Sequence, residues 1–152
     1  MPGKLLQELQ QTKPVRSTTA EAFLNVLRTA EVLTQQLAEL LRPYGVSTQQ
    51  YNVMRILRGA GPDGIPSGQI SERMVNRDPD VTRLVDRLEK QGLAERVRGG
   101  EDRRVVRVRA TRNALDLLGQ LDEPVEELHA CQFAGLSEER VTMLISSLEE
   151  LR

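Results

Sequence analysis

The sequence predicts a mainly α-helical fold that carries one small β-hairpin. Three observations predict it. Apolar residues recur every three or four positions through most of the 152 residues, which is the spacing of one helix face. Residues 93–110 instead alternate with the period of a strand, interrupted by Gly99 and Gly100. Aromatic residues make up only 3% and Trp is absent, so Leu, Val, Ile, Ala and Met must build the core, which suits helices better than a β-sandwich.

Taken in order, residues 1–16 hold Pro2, Gly3 and Pro14, with Leu5, Leu6 and Leu9 as the only apolar anchors, and read as an arm or short helix. Thr18-Thr19-Ala20-Glu21 has the form of a capping box. It opens a long helix with Phe23, Leu27, Ala30, Leu33, Leu37 and Leu40 on one stripe, which Pro43 and Gly45 end. Ser47 and Gln50 form a second box, with Val46 placed to staple onto Tyr51, ahead of a helix that stops at Gly59–Gly61. Ser67 is expected to cap a short third helix with Ile70 and Met74 inward. After the turn at Asn76-Arg77, Asp78 is a fitting N-cap and Pro79 a fitting first residue for a fourth helix that ends at Gly92. Leu93 to Arg98 and Val105 to Arg109 make the two strands of the hairpin. Thr111 caps a fifth helix that Pro124 is expected to kink or break. Ser137 caps a sixth, with Leu136 stapling onto Val141 and an apolar stripe from Val141 to Leu151.

Charge divides the chain further. The net charge of −1 is the sum of +2 over residues 1–65, +4 over 66–112 and −7 over 113–152. A basic middle beside an acidic end points to a polyanion-binding module joined to something that does not touch the polyanion. One cysteine excludes a disulfide framework within the chain and suits a reducing compartment. Residues 1–15 hold no long apolar run, and no stretch approaches the roughly 20 apolar residues of a membrane span, so a cytoplasmic protein with no membrane partner is expected.

The order helix, short helix, turn, helix, hairpin is that of a winged helix-turn-helix. In the fourth helix Val81, Leu84, Val85 and Leu88 share the buried face. Arg83, Asp86 and Lys90 hold the opposite face, flanked by Thr82 and Arg87. Such a face fits the major groove of DNA, where Arg bonds guanine bidentately. On its own it would also fit an ordinary solvated helix with i, i+4 pairs. The hairpin tips the balance, with Arg96, Arg98, Arg103, Arg104, Arg107 and Arg109 and no Lys, although charge can also protect an exposed strand edge.

The run Val81 to Leu93, followed by Asp102-Arg103-Arg104 and then by Val108-Arg109-Ala110-Thr111, resembles the MarR family (multiple antibiotic resistance regulators). The resemblance covers nearly the whole chain, although Ala114 stands where the family often has Gly, and Asp78, Pro79 and Asp80 stand where it often has small hydroxyl residues. It implies a homodimer that binds a pseudo-palindromic operator in double-stranded DNA and acts as a repressor of nearby genes. It implies that Thr82, Arg83 and Arg87 lie on the recognition helix, that Arg104 enters the minor groove held by Asp102, and that Arg103 contacts the backbone or groove beside it. It also implies a small aromatic or phenolic effector between the dimerisation and DNA-binding parts, with Tyr44, Met54 and Arg58 as candidate lining. The corresponding division is residues 1–45 for an arm and dimerisation helix, 46–111 for the DNA-binding domain and 112–152 for dimerisation helices.

Other residues carry less. Cys131 lacks an obvious cationic neighbour and reads as a small buried or interfacial thiol, with a redox sensor as the alternative. His129 is the only histidine, which rules out a multi-histidine metal site within one chain. No phosphate loop, nucleophile elbow or metal cluster is legible, so neither an enzyme nor a cofactor is expected. A winged-helix adaptor that binds protein is the remaining alternative, and the Arg-rich hairpin argues against it.

Overall fold

The computed structural model describes residues 3–77, 80–99, 102 and 104–152. A short helix α1 (Lys4–Glu8) precedes the long α2 (Thr18–Leu41), which tightens into a 3-10 turn at Arg42–Tyr44. Then follow α3 (Thr48–Ala60), strand β1 (Ile65–Pro66), a 3-10 turn at Ser67–Gln69 running into α4 (Ile70–Arg73), and α5 (Val81–Lys90). Strands β2 (Ala94–Arg98) and β3 (Val106–Ala110) lead to α6 (Arg112–Phe133) and α7 (Glu138–Glu149). The fold class is therefore mainly α with a small wing. No helix among the described residues is long and apolar enough to cross a membrane.

The caps decide the boundaries. Ser17, not Thr18, opens α2 by accepting the Ala20 N–H at 3.2 Å. The box at Ser47 and Gln50 forms in both directions, at 3.1 and 2.9 Å. Ser67 caps nothing, because the short helix starts as a 3-10 turn behind Pro66. Helix α5 begins at Val81, capped by Asp80, later than expected; Asp78 and Pro79 lie outside the described residues. Its far end is a full Schellman closure. Leu93 N–H bonds Leu88 C=O at 2.8 Å and Gly92 N–H bonds Glu89 C=O at 2.9 Å, with Gly92 at a φ of 70°. Thr111 and Ser137 cap α6 and α7 as expected.

Two differences from expectation concern the middle and the end of the chain. The wing has a third strand, since Ile65 and Pro66 pair antiparallel with Val108 and Arg107 to give the order β1-β3-β2. Gly64 makes that approach possible, because a Cβ there would fall 2.3 Å from the Val108 carbonyl oxygen. Helix α6 also runs through Pro124 without a break. A proline inside a helix costs about 3 kcal/mol. Burying Leu118, Leu121 and Val125 on the same helix contributes roughly 1.5–3 kcal/mol each, which outweighs it.

A single core joins the module to the flanking helices. Val53, Met54 and Leu57 of α3, Ile70 of α4, Leu84, Val85 and Leu88 of α5, Val108 of β3, and Ala114, Leu118 and Leu121 of α6 are all buried in it. The period-3.6 pattern of α5 thus points one face inward and leaves the other to solvent.

Candidate nucleic-acid interface

The outward face of α5 carries Thr82, Arg83, Arg87 and Lys90, all exposed. Arg83 is folded back along the helix start, with its Nε 3.0 Å from Asp80 Oδ2. Asp80 also accepts the Arg83 backbone N–H at 3.1 Å, so the carboxylate caps the helix and restrains the guanidinium at once. Among the described residues, Arg87 and Lys90 have no carboxylate within 4.0 Å. They stand as cations on the solvent face.

The six hairpin arginines divide by what they touch. Arg96 bonds Asp86 at 2.7 Å and also Glu89, and its backbone N–H donates to Glu89 at 2.9 Å. Burial works against its charge, yet the hydrogen bonds and Coulomb attraction of Asp86 and Glu89 outweigh that and raise its pKa. Arg107 donates to the carbonyls of Asp63 at 3.0 Å and Gly64 at 2.7 Å. Arg109 pairs with Glu95 at 2.7 Å. Arg96 and Arg107 tie the wing to the module and Arg109 ties its two strands together, so none of the three stands free for phosphate. Arg98 and Arg104 are exposed, and their guanidinium groups have no partner among the described residues. Asp102 accepts the Arg104 backbone N–H at 2.9 Å, so it fixes the chain at Arg104 rather than the guanidinium itself. Arg103 lies outside the described residues.

Between the two parts runs an open groove of about 450 Å³ lined by Ser67, Ser71, Thr82, Val85, Arg96 and Val106. Sequence reasoning missed the two serines, because Ser67 has the form of a helix cap. Their position in the groove follows from the 3-10 turn that no periodicity announces.

A second cavity, of about 240 Å³, lies where α2, α3 and α6 meet the segment after α4, and its walls differ from the candidate lining. Leu37, Tyr51, Asn52, Arg55, Met74 and His129 line it. Met54 is instead a fully buried core residue, Tyr44 sits on the 3-10 turn, and Arg58 is bound to Asp122 at 2.9 Å. That bond holds the Asp122 carboxyl below the usual carboxylate range, and its counterpart raises Arg58. Arg55 stacks over the Tyr51 ring at 5.9 Å from its centroid. The Tyr51 hydroxyl is raised by burial. Cys131 is exposed in the single chain, not buried.

Helix, turn, helix and arginine-bearing wing on one core define a winged helix-turn-helix protein. Residues 44–105 match the MarR family model. The HTH-type transcriptional repressor IacR of Pseudomonas putida is 30% identical over 116 residues, spanning 76% of this chain and 68% of the relative. The crystal structure of a MarR transcription factor from Planctomyces limnophilus is 40% identical, with a TM-score of 0.68 over 91% of this chain and 99% of that one. The S. aureus MepR–DNA complex, at 20% identity and a TM-score of 0.74 over 86% of this chain and 94% of that one, shares the fold. The chain belongs to the MarR family and is a transcriptional regulator of that type.

Proposed function

We propose that this regulator binds a pseudo-palindromic operator in duplex DNA as a homodimer and represses nearby genes, with a small molecule as effector. The observation that carries the reading is electrostatic. On a chain of net charge −1, Arg87 and Lys90 of α5 and Arg98 and Arg104 of the wing keep their cationic groups exposed and without an acidic partner among the described residues. A phosphate-binding face needs cations that no internal carboxylate already neutralises, and these four meet that need. Thr82, Arg83 and Arg87 are assigned to the recognition helix, and Arg103 and Arg104 to groove or backbone contact, with Asp102 positioning Arg104. The MepR complex with DNA supports placing such a module on a duplex.

The division into residues 1–45, 46–111 and 112–152 follows the same reading. Phe23, Leu27, Ile145 and Leu151 are more than half exposed in the single chain. Val26, Leu144 and Leu148 line an apolar space between α2 and α7, and together these apolar residues present surface suited to a second copy. The cavity beside Tyr51 lies between that surface and the module, and Arg55 and His129 give it polar walls for an aromatic or phenolic guest.

The test is selection of binding sites from random duplexes, followed by titration at several salt concentrations. A symmetric motif, and affinity that falls steeply with salt, are expected. No enrichment of any sequence over repeated rounds would overturn the reading.

A further inference from the structure

The C-terminal end of the recognition helix is tied to both flanking helices. Gln91 is the C-cap residue of α5, and both polar atoms of its side chain are used. Its Oε1 accepts from Gln50 Nε2 at 2.9 Å, and its Nε2 donates to the Gly45 carbonyl at 2.8 Å. Gln50 in turn accepts the Ser47 backbone N–H at 2.9 Å through its own Oε1. Two amides thus form a directed relay from the recognition helix to the turn that joins α2 to α3. One residue further on, the Gly92 carbonyl accepts from Thr111 Oγ1 at 2.7 Å, and Thr111 is the cap of α6. The pair Gln91–Gly92 is therefore held from both sides, at the exit of one long flanking helix and the entrance of the other.

We propose that Gln91 is a positioning residue whose amide sets the orientation of the recognition helix relative to α2 and α6, and with it the half-site spacing the dimer accepts. The inference rests on the DNA-binding dimer proposed above. Its physical basis is the one-sidedness of the relay. Gln50 is 7% exposed, and among the described residues no buried side-chain nitrogen or oxygen lacks a partner. Removing the Gln91 amide leaves the Gln50 NH2 group either to move out to water, since Gln91 itself is exposed, or to open the turn at Gly45. Either one frees the end of α5 from α2. A dimer holds its two recognition helices at a fixed separation through the shared core and through such connections, so a looser connection broadens the spacing it tolerates.

Gln91→Met keeps the length of the side chain and removes both hydrogen bonds. It is placed on duplexes carrying the selected half-sites at the wild-type spacing and at spacings one base pair longer and shorter. The wild type is expected to favour one spacing. Gln91→Met is expected to lose roughly three- to tenfold in affinity at that spacing, the scale of one or two hydrogen bonds, and much less at the others. Gln50→Met should flatten the preference in the same way, and the double variant should add little. Equal loss at every spacing, or an unchanged preference, overturns the inference while leaving the DNA-binding reading intact. A wild type that selects no duplex removes both.

Discussion

Arg83 and Arg87 stand one turn apart on α5 in different electrostatic settings. Arg83 is tied to Asp80, but both side chains are well exposed, and such pairs contribute only about 0–1 kcal/mol. A guanine edge can displace Asp80 at little cost. Arg87 has no such competitor among the described residues and lies nearer the flank. Arg83→Ala should therefore relax base preference at one symmetric pair of operator positions. Arg87→Ala should weaken all sequences alike and reduce the salt slope by about one unit for each phosphate it no longer neutralises. Binding-site selection with each variant checks both, and an unchanged motif for Arg83→Ala would remove it as a base reader. At the wing, Arg104→Ala should cost on the order of 1–3 kcal/mol per half-site if it reads bases or groove width. Asp102→Ala should reproduce part of that loss by freeing the backbone at Arg104, with the thermal midpoint little changed. Duplex titration alongside thermal unfolding measures the two effects; full affinity in both variants would exclude the wing from recognition. The sequence displayed all six hairpin arginines alike. What separates them is the position of acceptors, and those of Arg107 lie over forty residues away on the loop carbonyls of Asp63 and Gly64. No local pattern reports such a contact.

Among elements, the joint between α5 and β2 has the clearest consequence. Arg96 grips Asp86 and Glu89, which are spaced i, i+3 on α5, so one strand residue engages two carboxylates near the proposed DNA face and offsets half their charge. Arg96→Met would release the wing from the helix and leave those carboxylates to repel phosphate. The groups are partly exposed, so stability should fall by only about 1 kcal/mol or less, a shift of roughly 2–4 °C in a domain of this size. Duplex affinity should fall further, and adding Asp86→Asn should restore part of it. Thermal unfolding and titration on the same samples compare the two losses, and an affinity loss no larger than the stability loss would leave Arg96 a purely structural pair. Elements with long periodic faces were legible, because α2, α3, α5 and α6 each repeat the pattern three or more times. Strand β1 was not, since two residues, one of them proline, carry no period. Its existence depends on Gly64 allowing close contact with Val108, which is a tertiary fact. Ser67 misled because a serine three residues ahead of an apolar one, here Ile70, reads equally as a cap or as the start of a 3-10 turn. The break expected at Pro124 is absent because core contacts, which local propensity leaves out, carry α6 through it.

At the scale of the whole molecule, the proposed division of labour between halves rests on exposed apolar surface. Helix α7 has no buried residue, yet Leu144 and Leu148 face Val26, Ala30 and Leu33 of α2 across a space of about 300 Å³, with Phe133 at its side. Met143 at 68% exposure and Leu151 at 76% point away from the chain's own core. Surfaces of this kind are covered in a stable protein, and a second copy offers the same helices in return, the self-complementary arrangement of a two-fold dimer. Deleting residues 137–152 removes α7 and uncovers the α2 stripe of Val26, Ala30 and Leu33. The core of the winged module is untouched, because its residues come from α2 to α6. The expected product is thus a folded module that is monomeric or aggregates. Operator binding should be weak, since two half-sites engaged by one rigid dimer gain from each other and two independent modules do not. Light scattering gives the mass of the truncated chain in solution, circular dichroism its helicity, and duplex titration its affinity. A truncated chain that stays dimeric and binds at full strength would move the dimer contact elsewhere, onto α2 and α6 alone.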